Sequence, residues 1–239
     1  MKQIQIKGAI ISNDQKEIYD WYEIESTCPY DVTQYLQGNE DVEVIINSGG
    51  GSVFAGSEIY TALKEYKGNV TVKIYSLAGS SASIVAMGGD KVLISPTAQI
   101  MIHNVSMGNQ GDYHDMEKGA EILKSATEGL ANAYVLKTGI DKATILDMMD
   151  KETWLNADKA VELGFADEVM FQEDKLSSQI TMSGQFSLVA SLANEHILPK
   201  KAIDKYNEIK NQQKQEEKIK NECAKLTAQL NLLKLKEIK

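Results

Sequence analysis

No arginine occurs among the 239 residues, so all 25 basic side chains are lysines. The planar guanidinium fork that grips phosphate and guanine with two parallel hydrogen bonds is therefore absent, which argues against a nucleic-acid role. Cysteine is scarce. Cys28 and Cys223 stand far apart, in no C-x-x-C or metal-ligand spacing, and read as two free thiols in a reducing compartment. Neither a metal nor an organic cofactor is expected. Long apolar runs are missing as well: the first residues alternate Ile4, Ile6 and Ile10 with lysines and polar residues, without the stretch that a signal peptide or membrane span needs. A cytoplasmic location and no membrane partner are expected.

What remains is the composition of a globular protein, with 43% apolar and 25% charged residues. The formal net charge of -9 is unevenly spread. Residues 1–199 carry 14 Lys against 28 Asp and Glu, whereas residues 200–239 carry 11 Lys against 6 acids, an acidic body with a basic tail. Residues 2–11 alternate as a strand does, and Val42-Glu43-Val44-Ile45-Ile46 is a β-rich run that stops at Asn47-Ser48-Gly49-Gly50-Gly51. Ala55, Ile59, Leu63 and Tyr66 then share one helical face until Gly68. The pattern repeats: a strand over 70–75, a small-residue turn over 79–83, and the start of a helix over 84–87. Two adjacent βα units predict an α/β fold. Strands are expected at 91–95 and 99–105, a long amphipathic helix from Met116 through Tyr134 to about Gly139, short helices to about Asp150 and over 157–163, and a strand-like run over 165–171. The main domain is expected to span residues 1–172, followed by a Ser- and Gln-rich linker over 173–199 and a basic helical tail over 200–239. Ile219, Cys223, Leu226, Leu230 and Leu233 give that tail about two heptads, short of a convincing coiled coil.

Three short segments carry candidate chemistry. The glycine loop 47–51 brings backbone N–H groups close to whatever lies opposite and suits an oxyanion hole, an anion cradle or a bare turn. It lacks the endings of a P-loop or a dinucleotide fingerprint. The turn Gly79-Ser80-Ser81-Ala82-Ser83 places a serine where a strand hands over to a helix, where its hydroxyl can be exposed while the next N–H points toward a developing oxyanion, although small residues there also simply let two elements pack closely. His103, in Met101-Ile102-His103-Asn104, ends a run that should be buried. Of the three histidines, His114 begins an exposed helix and His196 falls in the linker, so a general base near Ser83 would have to be His103.

Taken together, these motifs resemble the proteolytic-subunit family of the Clp protease, and more closely its bacteriophage head-maturation branch. Asn47-Ser48-Gly49-Gly50-Gly51 matches the family's Asn-Ser-Pro-Gly-Gly, residues 79–83 its Gly-x-Ala-Ala-Ser, and Met101-Ile102-His103 its Met-Ile-His. Trp154-Leu155-Asn156-Ala157 through Ala160-Val161-Glu162-Leu163-Gly164-Phe165-Ala166-Asp167 resembles a fourth family stretch. The resemblance covers roughly residues 1–172. It implies the Clp and crotonase type of α/β spiral, a serine endopeptidase with Ser83 as nucleophile and His103 as base, Gly50 and Ile84 as oxyanion donors, and a homo-oligomeric ring acting on protein or peptide substrates. Two departures stand out. Gly49 replaces the family's proline, and the third catalytic residue, an aspartate in the family, falls on Glu152, with Asp150 the fallback.

The resemblance further implies a protease that trims capsid or scaffold proteins in the cytoplasm of a bacterial host. A cellular Clp-type peptidase fed by an unfoldase is the nearest alternative. Acyl-CoA chemistry on the crotonase variant of the fold and a catalytically silent assembly ring are the others.

Overall fold

The computed structural model describes residues 2–172 and 198–236. The chain divides into two compact units, Met1–Ile197 and Leu198–Lys239.

In the first unit the elements run β1 (Lys2–Ile10), α1 (Lys16–Trp21), β2 (Ser26–Thr27), α2 (Pro29–Thr33), β3 (Val42–Gly51), α3 (Val53–Glu65), β4 (Val70–Gly79) and α4 (Ser81–Ala86). They continue with β5 (Lys91–Ile94), β6 (Gln99–Ile102), α5 (Tyr113–Thr138), α6 (Lys142–Asp150), β7 (Thr153–Asn156), α7 (Ala157–Glu162) and β8 (Glu168–Val169). Strand and helix alternate, so neighbouring strands are joined by crossovers and pair parallel, the α/β arrangement expected from the repeated βα grammar. The main path through the sheet is β2-β1-β3-β4-β5-β8. Among the described residues only the β6–β7 pair is antiparallel.

Burial on both faces explains the near-continuous apolar reading of β3 and β4. Val44, Ile46, Val72 and Ile74 are fully enclosed, and Ile59 and Leu63 of α3 close over them. Glu43 interrupts that run and is itself buried. Its carboxylate is neutralised by Lys73 of the neighbouring strand and accepts a hydrogen bond from Gln3 Nε2 at 2.8 Å, so the charge is paired on both sides.

Two register features position everything that follows. Between β3 and β4 the pairing steps from Ile46↔Ile74 to Ser48↔Ala78, so β4 bulges outward by two residues and the glycine loop comes to lie beside Gly79. Beyond that bulge β4 changes partner. Its first half pairs with β5, Thr71 to Ile74 against Lys91 to Ile94, while Leu77, Ala78 and Gly79 pair with Gln99, Ile100 and Met101 of β6.

Several boundaries differ from the sequence expectation. α5 begins at Tyr113, where Asp112 caps it by accepting from the amides of His114 and Asp115, and ends at Gly139 in the left-handed conformation. α3 stops at Glu65, before Gly68. The run 165–171 contains only the two-residue strand β8, because the chain turns at Phe165 and Ala166, whose amides close back on the Ala160 carbonyl. β6 ends at Ile102, one residue before His103, and α4 starts at Ser81 rather than near Ile84.

The second unit contains α8 (Lys200–Lys236), on which Ile219, Cys223 and Leu226 are exposed. The expected linker lies outside the described residues, apart from Leu198 and Pro199. No helix among the described residues is long and apolar enough to cross a membrane.

Ile74 is the last residue of β4 paired with β5 before the strand passes to β6, and it has no exposed surface. Ile74→Ala should destabilise the protein by roughly 2–5 kcal/mol. A lowered urea midpoint with an unchanged m-value would register that loss.

Candidate active site

The change of partner along β4 is what builds a site. Hydrogen bonding between β4 and β6 continues one residue past the end of β4, the Ser80 amide donating to the Met101 carbonyl at 2.9 Å. His103 follows Met101 by two residues and therefore stands on the same side of the strand. Its Nε2 lies 2.8 Å from the Ser80 hydroxyl.

Ser80 itself adopts φ 52°, ψ -125°, a conformation disfavoured for any residue with a Cβ. Strain of this kind is worth on the order of 1–3 kcal/mol and concentrates at functional sites. Here it turns the chain sharply from strand into helix and leaves the Ser80 hydroxyl partly exposed, the geometry of a nucleophile elbow.

The expected contact between Ser83 and His103 is not formed. Because α4 starts at Ser81, Ser83 is inside its first turn and has no exposed surface. Its hydroxyl contacts the Ser80 carbonyl at 2.6 Å and the Tyr134 phenol at 2.7 Å. The same shift displaces one of the expected oxyanion donors. The Ile84 amide points back to the Ser80 carbonyl at 3.4 Å, as an amide inside a helix must. The amide that follows Ser80 belongs to Ser81, at the first helical position, where no carbonyl within the helix can receive it.

Gly50 sits directly against this elbow. A Cβ on Gly50 would stand 2.7 Å from both the Gly79 carbonyl oxygen and Ser80 Cβ and 3.0 Å from Ser81 N, and φ of 100° excludes side chains independently. The Gly50 amide donates to Ser48 Oγ at 3.0 Å, whose own proton goes to the Gly8 carbonyl at 2.6 Å. A charged ligand oxygen would have to compete with that serine for the Gly50 N–H.

Glu152 occupies the turn between α6 and β7, at φ 49°. Its Oε1 accepts from Trp154 Nε1 at 3.3 Å. It acts on the imidazole through charge: burial pushes the His103 pKa below its ordinary value of 6.5, and the nearby Glu152 carboxylate partly offsets this. Asp150, the fallback, is engaged elsewhere, accepting from Asn104 Nδ2 at 2.6 Å.

Ser80, Ser81 and Tyr134 were not singled out by the sequence reading. For Ser80 the sequence holds only its place in the small-residue turn 79–83, because the end of β4 at Gly79 is visible in the structure alone. For Tyr134, which lies 51 positions from Ser83, local sequence holds no such cue.

Comparison with known proteins now gives this geometry a context. A family model described as Clp protease matches residues 32–173. The chain belongs to the Clp protease family. ATP-dependent Clp protease proteolytic subunit 1 of Protochlamydia amoebophila is 30% identical over 183 residues, spanning 74% of this chain and 84% of that protein. The subunit 1 of Chlamydia muridarum is 31% identical over 161 residues, 65% of this chain and 78% of that one. The ATP-dependent Clp protease proteolytic subunit of Deinococcus radiodurans is 29% identical over 135 residues, 56% and 66%. The mixed α/β sheet with its parallel core agrees with the fold of this family.

Because the folded pKa of His103 is depressed, its neutral form is favoured by folding. The associated stability is present above the unfolded value and is lost as pH falls through the folded one. NMR titration of His103 should give a midpoint below 6.5, and Glu152→Gln should move it lower still, since the offsetting negative charge is gone. An unchanged midpoint in that variant would separate Glu152 from the imidazole. Gly50→Ala should remove more than about 1 kcal/mol of stability through its positive φ and its collision with the elbow, measured by thermal unfolding.

Proposed function

We propose that this chain is a serine endopeptidase in which Ser80 is the nucleophile and His103 its general base. The 2.8 Å contact between His103 Nε2 and Ser80 Oγ carries the reading, within a family whose relatives are named proteolytic subunits. Neutral His103, favoured by its burial, takes the proton of Ser80 as Oγ adds to the scissile carbonyl carbon. The resulting oxyanion is received by the Ser81 amide and by Gly50 once its N–H is shared with or released from Ser48. Protonated His103 then donates to the leaving amine, the C–N bond breaks, and an acyl ester on Ser80 remains. A water molecule, deprotonated by the same imidazole, hydrolyses that ester and restores Ser80. Glu152 stabilises the imidazolium that forms in both halves of the cycle.

The finer role is maturation of a phage capsid or scaffold by a homo-oligomeric ring of this subunit. What supports it is the chain beyond the family match: residues 174–239 continue past it and include the lysine-rich helix α8, suited to tether the protease to an assembling shell. A cellular peptidase working with an unfoldase is favoured instead by the names of the relatives, which are ATP-dependent Clp subunits.

Reaction with a fluorophosphonate probe followed by peptide mapping tests the chemistry. The label should map to Ser80 and disappear in Ser80→Ala and His103→Ala. Label on Ser83 would restore the assignment that the resemblance implies, and a chain that stays unlabelled in every condition would be a silent assembly subunit.

A further inference from the structure

Ser83 has a different task, legible from its proton. A serine hydroxyl carries one hydrogen, and a carbonyl oxygen can only accept. The 2.6 Å contact from Ser83 Oγ to the Ser80 carbonyl therefore uses that hydrogen, and the 2.7 Å contact with Tyr134 must run the other way, the phenol donating to Ser83. The chain of donors is Tyr134 to Ser83 to the carbonyl of Ser80. Ser83 and Tyr134 are both buried, and burial pushes the Tyr134 phenol above its ordinary pKa, so the donor keeps its proton.

We infer that Ser83 and Tyr134 are positioning residues that hold the Ser80–Ser81 peptide in the orientation catalysis requires, an inference that rests on Ser80 being the nucleophile. In a trans peptide the C=O and the following N–H point in opposite directions. Three donors fix the Ser80 carbonyl: Ser83 Oγ at 2.6 Å, the Ser83 amide at 3.0 Å and the Ile84 amide at 3.4 Å. Anchoring that oxygen turns the Ser81 N–H to the opposite side of the peptide, and the Ser81 nitrogen lies next to Gly50.

The anchor has something to resist. Ser80, at φ 52° and ψ -125°, has the backbone angles of the first central residue of a type II′ turn, a position dominated by glycine. Rotating the central peptide at nearly the same φ gives the I′ arrangement, with ψ near about +30°. In that rotamer of the backbone the Ser81 N–H would turn away from the substrate. The hydroxyl of Ser83 is the closest of the three donors and the one that reaches beyond α4, through Tyr134 to the 26-residue helix α5. Seating of α5 and aim of the oxyanion donor are thereby linked by two hydrogen bonds.

The test compares the full-length Tyr134→Phe, Ser83→Ala and Ser80→Ala proteins with wild type in hydrolysis of a short fluorogenic peptide amide and in the rate of fluorophosphonate labelling. Both reactions place a developing negative oxygen against the same donors. All rates are taken per folded molecule, with folding at the assay temperature checked by thermal unfolding. Tyr134→Phe and Ser83→Ala should each lower kcat and the labelling rate together by about tenfold, with KM within about twofold. That is milder than the roughly hundredfold or greater loss on deleting a donor outright. Wild-type kcat and labelling in folded Tyr134→Phe and Ser83→Ala would overturn the inference, and so would a loss confined to KM. Should Ser83→Ala fail to fold, Tyr134→Phe, which deletes a single oxygen, decides alone. Persistence of labelling and hydrolysis in Ser80→Ala would instead bring down the nucleophile assignment on which the inference rests.

Discussion

One backbone hydrogen bond organises this molecule, the donation from the Ser80 amide to the Met101 carbonyl. It extends the pairing of β4 with β6 past the last residue of β4 and so carries a turn with φ 52° into register with His103. Without it Ser80 would be a hydroxyl in an unsupported bend. With it, a strained serine and a histidine, each one residue past the end of its strand, meet at 2.8 Å. Sites placed on the ends of strands keep their geometry because the ladder behind them is cooperative, and the strain at the turn is tolerated for the same reason.

That ladder depends on the fork in β4. A strand of ten residues that kept one partner throughout would carry β5 alongside its whole length and leave β6 no edge to join. The two-residue bulge opposite Asn47 and the transfer to β6 beyond it solve two problems at once. They bring the glycine loop against Gly79 and the elbow, and they open a fresh edge for the strand that delivers the imidazole. The absence of side chains at Gly50 and Gly79 is then a steric condition of the site. Each would place a Cβ close to the backbone of the other loop, at 2.7 Å for Gly50 and 3.1 Å for Gly79.

Charge in the site is handled by burial more than by pairing. His103 is kept neutral by desolvation, with Glu152 opposing that shift at a distance, while the carboxylate's own hydrogen bond goes to Trp154. The protein thus favours the neutral imidazole while keeping a negative charge near it. Elsewhere the buried carboxylate of Glu43 follows the opposite rule and is paired directly with Lys73.

By itself the sequence determined the class of fold, the four motif segments and membership of the Clp protease family, because alternating strand and helix periodicities and short glycine-rich turns are written in consecutive residues. It also pointed to His103, simply because histidines are few. It could not decide which serine in the run Gly79-Ser80-Ser81-Ala82-Ser83 faces the imidazole. Small residues of nearly equal size and polarity leave the local pattern degenerate, and the choice was made by where β4 ends and α4 begins. That boundary is set by pairing with Met101, more than twenty residues away, and by the buried hydroxyls of Ser83 and Tyr134. The same holds for the amides nearby: with α4 starting at Ser81, the Ile84 N–H is taken up by the Ser80 carbonyl, while the Ser81 N–H stands at the first helical position. Helix starts and strand partners are properties of the packed molecule, since each amide takes whichever acceptor the surrounding structure leaves within reach.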